Sequence, residues 1–465
     1  MRAINAFHIR LLLPLLARDR HRALARRMRQ FASYERLSFE QNQDLQWQRF
    51  VKMLRHAYAN TEFYRKRFDA VGFDPNSSFG PAEVSRVPAL TRDDIRTHVE
   101  KMCSRTYKVE DLTISATGGT TDTPVKFYRD RESLRDKTAL QLQLNTWAGM
   151  YPGDKIFHVW GARSDFSQNP SWRWRLYDRG LMRNVWAPTS LLNEQVSEDY
   201  RQLLNNFKPK IVYAYPTPLA LFCEYMQASP RPVHRPEAVI CTAEAVLDDQ
   251  RKIIEETFRC RVFEHYGSRE FGMIAAECDA HCGLHLASPA VFLEYLPLSD
   301  CEEPGVQEIL VTDLLNYGMP LIRYRVNDCV VPSEFPCSCG RGYPLIKKII
   351  GRTTDIFVLP DGSKVPGVAL TNRVLQVCPD LKKTQVIQEE IGRFRLRYVP
   401  NERFDRTGLQ GLKDNLKKFF PQDLQWEFEE VNDIQRESSG KTRFCISKVT
   451  LPSQDFPATT LARRP

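Results

Sequence analysis

The chain lacks any run of about 18 apolar residues, so nothing in it reads as a membrane span. It has no internal repeat and no low-complexity block, which excludes a solenoid or a compositionally biased tract. Its one glycine-rich loop is not closed by GK[ST] and does not follow G-x-G-x-x-G, so it is neither a Walker A loop nor a dinucleotide fingerprint. Most of the chain also has little net charge. Of the formal +9, residues 1–30 hold +7, from eight Arg against Asp19, and the other 435 residues share +2. A nearly neutral body argues against nucleic acid as a partner. Within the basic arm, Leu11 to Ala17 is apolar but short, is broken by Pro14 and has no small-residue cleavage site, unlike a signal peptide. The arm reads as an amphipathic surface helix, and is a candidate for a peripheral membrane or protein contact. With no signal peptide, the twelve Cys point to a reducing, cytoplasmic setting, where thiols and metal ligands outnumber disulfides.

What is present is ordinary globular material. The 465 residues, 42% hydrophobic and 26% charged, predict two to four domains with a substantial core. Residues 20–75 read as largely helical, with Trp47, Phe50, Met53, Leu54 and Ala57 on one apolar face. Thr91-Arg-Asp-Asp94 reads as a helix N-cap with acids in the first turn. Between 155 and 330, short apolar runs (155–160, 211–215, 238–241, 262–265, 308–312) alternate with helical stretches (193–207, 217–228, 246–259). That alternation predicts an α/β domain with a large sheet. A seam falls near Gly351. Beyond it, strands at 356–359, 385–387, 394–398 and 425–428 and a helix at 409–420 predict a small α+β domain.

The first chemical signal is Ser115-Ala-Thr-Gly-Gly-Thr-Thr-Asp-Thr-Pro-Val-Lys126, after the apolar Leu112-Thr-Ile114. Two glycines let the backbone wrap and aim N–H groups at an anion, and the hydroxyls add donors, so the loop is a candidate phosphate cradle. By itself such a loop is more often a solvated turn.

In its setting the loop resembles the phosphate-binding loop of adenylate-forming enzymes: acyl-CoA synthetases, peptide-synthetase adenylation domains and luciferases. Four further motifs follow in that family's order: Tyr266-Gly-Ser-Arg-Glu270, Tyr324-Arg-Val-Asn-Asp328, Gly351-Arg-Thr-Thr-Asp355 and Ser439-Gly-Lys441. Glu303-Pro-Gly305, Tyr317-Gly-Met-Pro-Leu-Ile-Arg-Tyr-Arg325 and Cys337-Ser-Cys-Gly-Arg341 resemble the phenylacetate–CoA ligase branch and its capsule-biosynthesis relatives. The resemblance implies an α/β fold: a large multi-sheet adenylation domain followed by a small mobile α+β lid. The expected boundaries are 1–75 for the basic arm and first helices, 76–351 for the core of the large domain and 352–465 for the lid.

It also implies an activity and its residues. The reaction is ATP plus a small carboxylic acid giving acyl-AMP and pyrophosphate, then transfer of the acyl group to a thiol, CoA in the first instance. The alternatives are a carrier-protein thiol, an amine or an alcohol as acceptor, or a nucleotide-binding protein without turnover. Ser115, Thr117, Gly118, Gly119, Thr120 and Thr121 would hold the β- and γ-phosphates, with Thr117 in the catalytic set. Glu270 would take Mg²⁺, a hard cation suited to carboxylate and phosphate oxygens. Asp328 would accept hydrogen bonds from the ribose, while Ala243, Glu244, Tyr266 and Gly267 would line the base side and Arg352 would meet the nucleotide at the seam. Lys441 would bridge the acid's carboxylate and the α-phosphate, where a point charge on a long stem suits developing negative charge. Asp355, or Thr354 beside it, is the hinge candidate. The loop departs from common members in having Gly118 where Ser is frequent and Asp122 in place of Gly.

Trp160, Tyr213 and Tyr215, with Phe222, make an aromatic pocket suited to a flat or apolar acid. Trp172, Trp174 and Trp186 interleave with arginines in a stretch read as a lid or anion contact. Thiolates and imidazole in Cys278-Asp-Ala-His-Cys-Gly-Leu-His285 and Cys337-Ser-Cys339 suit a closed tetrahedral Zn²⁺ site. Cys278, His285, Cys337 and Cys339 are the preferred four, with Cys282 and His281 as substitutes. The sequence leaves monomer and homodimer equally open.

Overall fold

Apolar runs bounded by turns become buried strands here, and helices fall where the apolar period lengthens. The structure, a computed structural model, describes residues 18–116, 125–160, 183–188, 194–229, 231–298, 301, 303–352, 356–366, 381–401, 404, 406–419, 424–434 and 445–449. Its first helices are α1 (Arg18–Tyr34), α2 (Phe39–Asn60), α3 (Glu62–Asp69) and α4 (Arg92–Met102). Ser38 and Thr91 start α2 and α4 with capping boxes, satisfying N–H groups that the first turn otherwise leaves open. Phe50, Met53, Leu54 and Ala57 are the buried stripe of α2, and the Trp47 ring packs against Phe50 at 5.6 Å.

The strands follow: β1 (Thr113–Ala116), β2 (Lys126–Arg129), then after α5 (Arg131–Asn145) β3 (Ile156–Trp160) and β4 (Asn184–Pro188). Next come α6 (Glu194–Phe207), β5 (Ile211–Ala214), α7 (Pro216–Ala228), β6 (Ala238–Thr242), α8 (Asp248–Phe258) and β7 (Arg261–Ser268). An antiparallel series completes the large part: β8 (Gly272–Glu277), β9 (Leu284–Leu286), β10 (Val291–Pro297), β11 (Gln307–Asp313), β12 (Tyr324–Pro332) and β13 (Leu345–Arg352).

Eleven of these strands form one mixed sheet in the order β10-β11-β12-β13-β9-β8-β7-β6-β5-β3-β4. β4, β3, β5, β6 and β7 run parallel, and every pairing from β7 to β10 is antiparallel. β5 is buried at all four positions, as a parallel strand covered on both faces must be. One face packs Val212, Val239 and Val262 with Phe222 and Phe258 from the crossover helices. The other packs Tyr213, Ile240 and Phe263 with Ala148 and Met150. The N-terminal helices share the core of the antiparallel half, where Phe50 stacks on Phe292 at 4.1 Å.

The small C-terminal α+β domain has a hairpin, β14 (Ile356–Val358) and β15 (Lys364–Pro366), and a four-stranded sheet. That sheet orders β18 (Gln425–Glu430), β17 (Arg393–Pro400), β16 (Leu381–Glu390) and β19 (Cys445–Ser447), with α9 (Arg406–Phe419) contributing Leu412 and Leu416 to its core.

Part of the basic arm is tied to this body. In α1, Phe31 is buried, and Arg27 pairs with Glu132 and Asp136 of α5. Arg22, Arg26 and Arg29 face outward. No helix among the described residues is long and apolar enough to cross a membrane.

Candidate active site

The parallel strands all end on one side of the sheet, and the carboxyl ends of parallel strands are where α/β sheets hold ligands. Trp160 ends β3, Tyr215 follows β5, Thr242 ends β6 with Ala243 and Glu244 after it, and Gly267-Ser268 ends β7. The Trp160 and Tyr215 rings lie 4.3 Å apart, and Trp160 and Tyr213 5.6 Å. Tyr213 sits one level deeper than its two partners, buried in the core face. Phe222 does not join them: α7 carries it to the opposite face of the sheet, because a crossover helix buries its apolar stripe there. Trp186 lies half-buried on the edge strand β4, in register with His158 and stacked on it at 3.9 Å; Trp172 and Trp174 lie outside the described residues.

Several of the residues expected on the nucleotide side gather at the adjoining hairpin β7–β8. Gly267 is required there, since a Cβ would come within 2.5 Å of the Gly272 carbonyl oxygen. Tyr266 is buried, and its hydroxyl donates to Asp328 Oδ2 at 2.5 Å. Burial, then the neighbouring Asp328 carboxylate, hold the Tyr266 phenol well above its usual pKa, so it remains a donor. Asp328 pairs in register with Arg352, whose exposed side chain places Nε 3.9 Å from Asp328 Oδ1. Glu244 accepts from the Thr217 amide at 3.4 Å, and Ala243 takes a left-handed φ of 73° to turn the chain there.

Glu270 is half-buried at the tip of the hairpin. Its backbone oxygen accepts from Lys137 Nζ at 3.1 Å, and the same ammonium lies 2.6 Å from Asp313 Oδ2. Both partners of this ion pair are buried, with side-chain exposures of 7% and 0%. Asp313 also accepts from the Leu315 and Asn316 amides. Asn316 Nδ2 in turn donates to the carbonyls of Tyr128 and Met319, and its Oδ1 accepts from the Asp130 amide. One buried network therefore fixes the hairpin tip, the start of α5 and the end of β2. Lys137→Met should lower unfolding free energy by about 3–5 kcal/mol, because it strands a buried carboxylate. Chemical denaturation would show this, and a loss under about 1 kcal/mol would contradict the assignment.

The glycine-rich loop hangs between β1 and β2, where Ala116 pairs with Lys126. Residues 117–124 lie outside the described set, so of the expected phosphate ligands only Ser115 is placed. Its hydroxyl accepts from Arg129 Nη2 at 2.7 Å, and Arg269 Nη1 donates to the Ala116 carbonyl at 3.4 Å. Two guanidiniums at the foot of the loop suit an anion site, and neither follows from sequence alone. Arg269 stands at a variable position inside its motif, and Arg129 stands in no motif. Lys441, Asp355 and Thr354 also lie outside the described residues.

The cysteine–histidine cluster forms at the far end of β8. Cys278, His285, Cys337 and Cys339 place their ligand atoms within 4.8 Å of one another. Cys278 Sγ is 3.6 Å from Cys337 Sγ, and Cys339 Sγ is 3.3 Å from His285 Nε2. Bond lengths of about 2.3 Å to sulfur and 2.0 Å to nitrogen in a tetrahedron imply ligand separations of roughly 3.5–3.8 Å, close to these. His285 Nδ1 meets the Tyr343 carbonyl at 3.1 Å, which leaves Nε2 for the cluster; burial pushes the ring's pKa down to about 4, keeping it neutral as a ligand must be. The donor set thus fits Zn²⁺. Cys282 is exposed beside Ser338 and Cys337, and His281 bonds to Glu277, so the four converging ligand atoms are those of the preferred set. The described cysteines form no disulfide.

Comparison with known proteins agrees with this architecture. The CapK C-terminal domain family matches residues 357–448. Protein CapK of Staphylococcus aureus is 27% identical over 413 residues, covering 87% of this chain and 89% of that protein. Phenylacetate-coenzyme A ligase of Thermus thermophilus is 24% identical over 340 residues, covering 70% and 73%. A crystal structure of 2-hydroxyisobutyryl-CoA ligase in the postadenylation state superposes with a TM-score of 0.69 at 19% identity, covering 89% of this chain and 91% of that one. ATP-bound MatB from Rhodopseudomonas palustris gives 0.51 at 17% identity, covering 73% and 68%.

The class these features point to is the adenylate-forming superfamily, whose fold the chain shares. Within that class its likenesses to CapK and to phenylacetate-coenzyme A ligase support that branch.

Proposed function

We propose that the chain is an AMP-forming acid–thiol ligase. A carboxylate oxygen of a small acid attacks the α-phosphorus of ATP, the bond to the β-phosphate oxygen breaks, and pyrophosphate leaves. The thiol sulfur of CoA then attacks the acyl carbon, and AMP departs with the electron pair of the acyl–oxygen bond. The observation that carries this reading is the convergence of Glu270, the Tyr266–Asp328 pair and the foot of the Ser115 loop beside the carboxyl ends of the parallel strands.

Catalysis here is positioning and charge stabilisation. The loop from Ser115 through Thr121 offers N–H and hydroxyl donors to the terminal phosphates, with Arg129 and Arg269 beneath it. Asp328, held by the Tyr266 hydroxyl, accepts from the ribose, and Arg352 approaches the same nucleotide. Glu270, fixed through its backbone by Lys137, is the carboxylate that would hold Mg²⁺ against the phosphates; such an ion, when bound, neutralises phosphate charge. Ala243, Glu244 and Gly267 form the turns beside the base. Lys441 supplies the cation between carboxylate and α-phosphate. Residues 352–465 act as a lid over 76–351, turning at Asp355 between the two half-reactions. The Cys278, His285, Cys337 and Cys339 cluster would hold a structural Zn²⁺.

Pyrophosphate exchange across a panel of aryl and aliphatic acids tests the first half-reaction. Exchange with at least one acid, followed by thioester formation when CoA is added, is the expected result. If no acid supports exchange, the enzyme reading fails; if exchange occurs but only a carrier thiol, amine or alcohol accepts the acyl group, the CoA assignment fails.

A further inference from the structure

Strand register arranges the proposed acid pocket in two rows. Paired parallel residues share a face, so His158, Tyr213, Ile240 and Phe263 form one row across β3, β5, β6 and β7. Two residues further along each strand lie Trp160, Tyr215, Thr242 and His265, with Thr242 and His265 paired in register. This upper row faces the same side as the lower one, at the carboxyl ends. Half of it is aromatic and half is polar.

His265 is the unusual member. It is 1% exposed, with its ring 6.3 Å from that of Tyr213, and neither ring nitrogen has a hydrogen-bond partner among the described residues. A buried polar group without a partner is rare and calls for an explanation. Nothing in the strand requires an imidazole here, since neighbouring positions on the same face carry Phe263 and Ile240. Burial also holds the ring's pKa down to about 4, so near neutrality it is uncharged, with one nitrogen donating and the other accepting. A neutral donor–acceptor pair matches a hydroxyl, and leaves a second carboxylate without a counter-charge.

We infer that His265 is a specificity-determining residue, and that the acid this chain activates carries an alcohol or phenol hydroxyl that hydrogen-bonds to the imidazole while its carbon frame lies against Trp160 and Tyr215. This rests on the ligase reading given above. A site built to hydrogen-bond a hydroxyl rejects the analogue without one, because the protein's polar group is then left bare.

The test uses pyrophosphate exchange with matched acids, phenylacetate against 4-hydroxyphenylacetate and butanoate against 3-hydroxybutanoate, together with thermal unfolding of the full chain without ligand. In the wild-type chain the hydroxylated acid of at least one pair should be favoured about tenfold or more in kcat/KM. His265→Leu should cut that preference about tenfold, whereas His265→Asn, which keeps a donor and an acceptor, should retain part of it. His265→Leu should also melt at or above the wild-type temperature, since it removes an unpartnered polar group. Exchange that ignores the hydroxyl, an unchanged ratio in His265→Leu, or a marked fall in melting temperature or failure to fold in that variant would each overturn this inference and leave the ligase reading standing. Exchange with no acid at all would overturn both.

Discussion

Lys441→Ala should nearly abolish acyl-adenylate formation, by about 100- to 1000-fold, while thioester formation from preformed acyl-AMP stays close to wild type. The size follows from removing one preorganised charge from a transition state in which negative charge builds on the α-phosphate. The asymmetry follows from what remains once pyrophosphate has left. Attack of a thiol on the acyl carbon needs neither the incoming carboxylate nor the departing pyrophosphate to be neutralised, so a residue devoted to that geometry drops out of the second step. Pyrophosphate exchange reads the first half-reaction and release of AMP from synthetic acyl-AMP plus CoA reads the second. Equal loss in both would contradict the role. Lys441→Arg should recover little, because a planar fork on a longer stem does not replace a compact ammonium.

The second large effect concerns the cysteine–histidine cluster. Purified chain should contain about one Zn²⁺, and Cys337→Ser or prolonged chelation should remove it. Melting should then fall by roughly 6 °C or more, taking about 2–4 °C per kcal/mol and a loss of about 3–5 kcal/mol. The cluster ties the end of β8, β9 and the loop before β13 into one corner, where Arg341 also reaches Asp279 and Glu35 and lies over the Trp147 ring. Gly283 fits there only because a Cβ would come within 2.4 Å of the Ile346 carbonyl oxygen. Activity should fall only as far as the fold does. Cys278 is separated from Glu270 by the length of β8, on the order of 20 Å at about 3.3 Å per residue. Metal well below one per chain, or metal-depleted protein that melts normally, would reject the site.

How much of this could be read from the residues alone depended on whether the signal was local. Helices with caps and stripes, such as Thr91–Asp94 and the Phe50–Ala57 face, were legible because both signals sit within a few turns of chain. Four of the five parallel strands, β3, β5, β6 and β7, were legible as continuous apolar runs, and the edge strand β4 was not. Of the antiparallel series only β11 was legible, as the run 308–312; β9 is very short, β13 carries Lys347 and Lys348, and the pairing of the series is set by partners distant in sequence. The four-residue metal cluster could be chosen from ligand chemistry, yet excluding Cys282 and His281 needed the backbone path. The Lys137–Asp313 pair was invisible, since a lysine in mid-helix and an acid at a strand end announce nothing until packing brings them together. Phe222 was misplaced for a related reason: helix phase, fixed by the sheet, decides which face an aromatic serves.

The alternation of β7 has a consequence for how such a protein changes over time. Successive residues on this strand turn to opposite faces, so His265 joins the Trp160 and Tyr215 row while Tyr266 reaches Asp328. On the roles proposed above, preference for the acid and grip on the nucleotide are therefore written on alternate letters of the same short word. Substitution at 265 leaves the 266 contact untouched, so new acids can be sampled without forfeiting the shared chemistry of activation. An insertion or deletion of one residue transposes the two alphabets and loses both at once. Lineages built on this strand are expected to diversify by replacement there and to hold its length fixed.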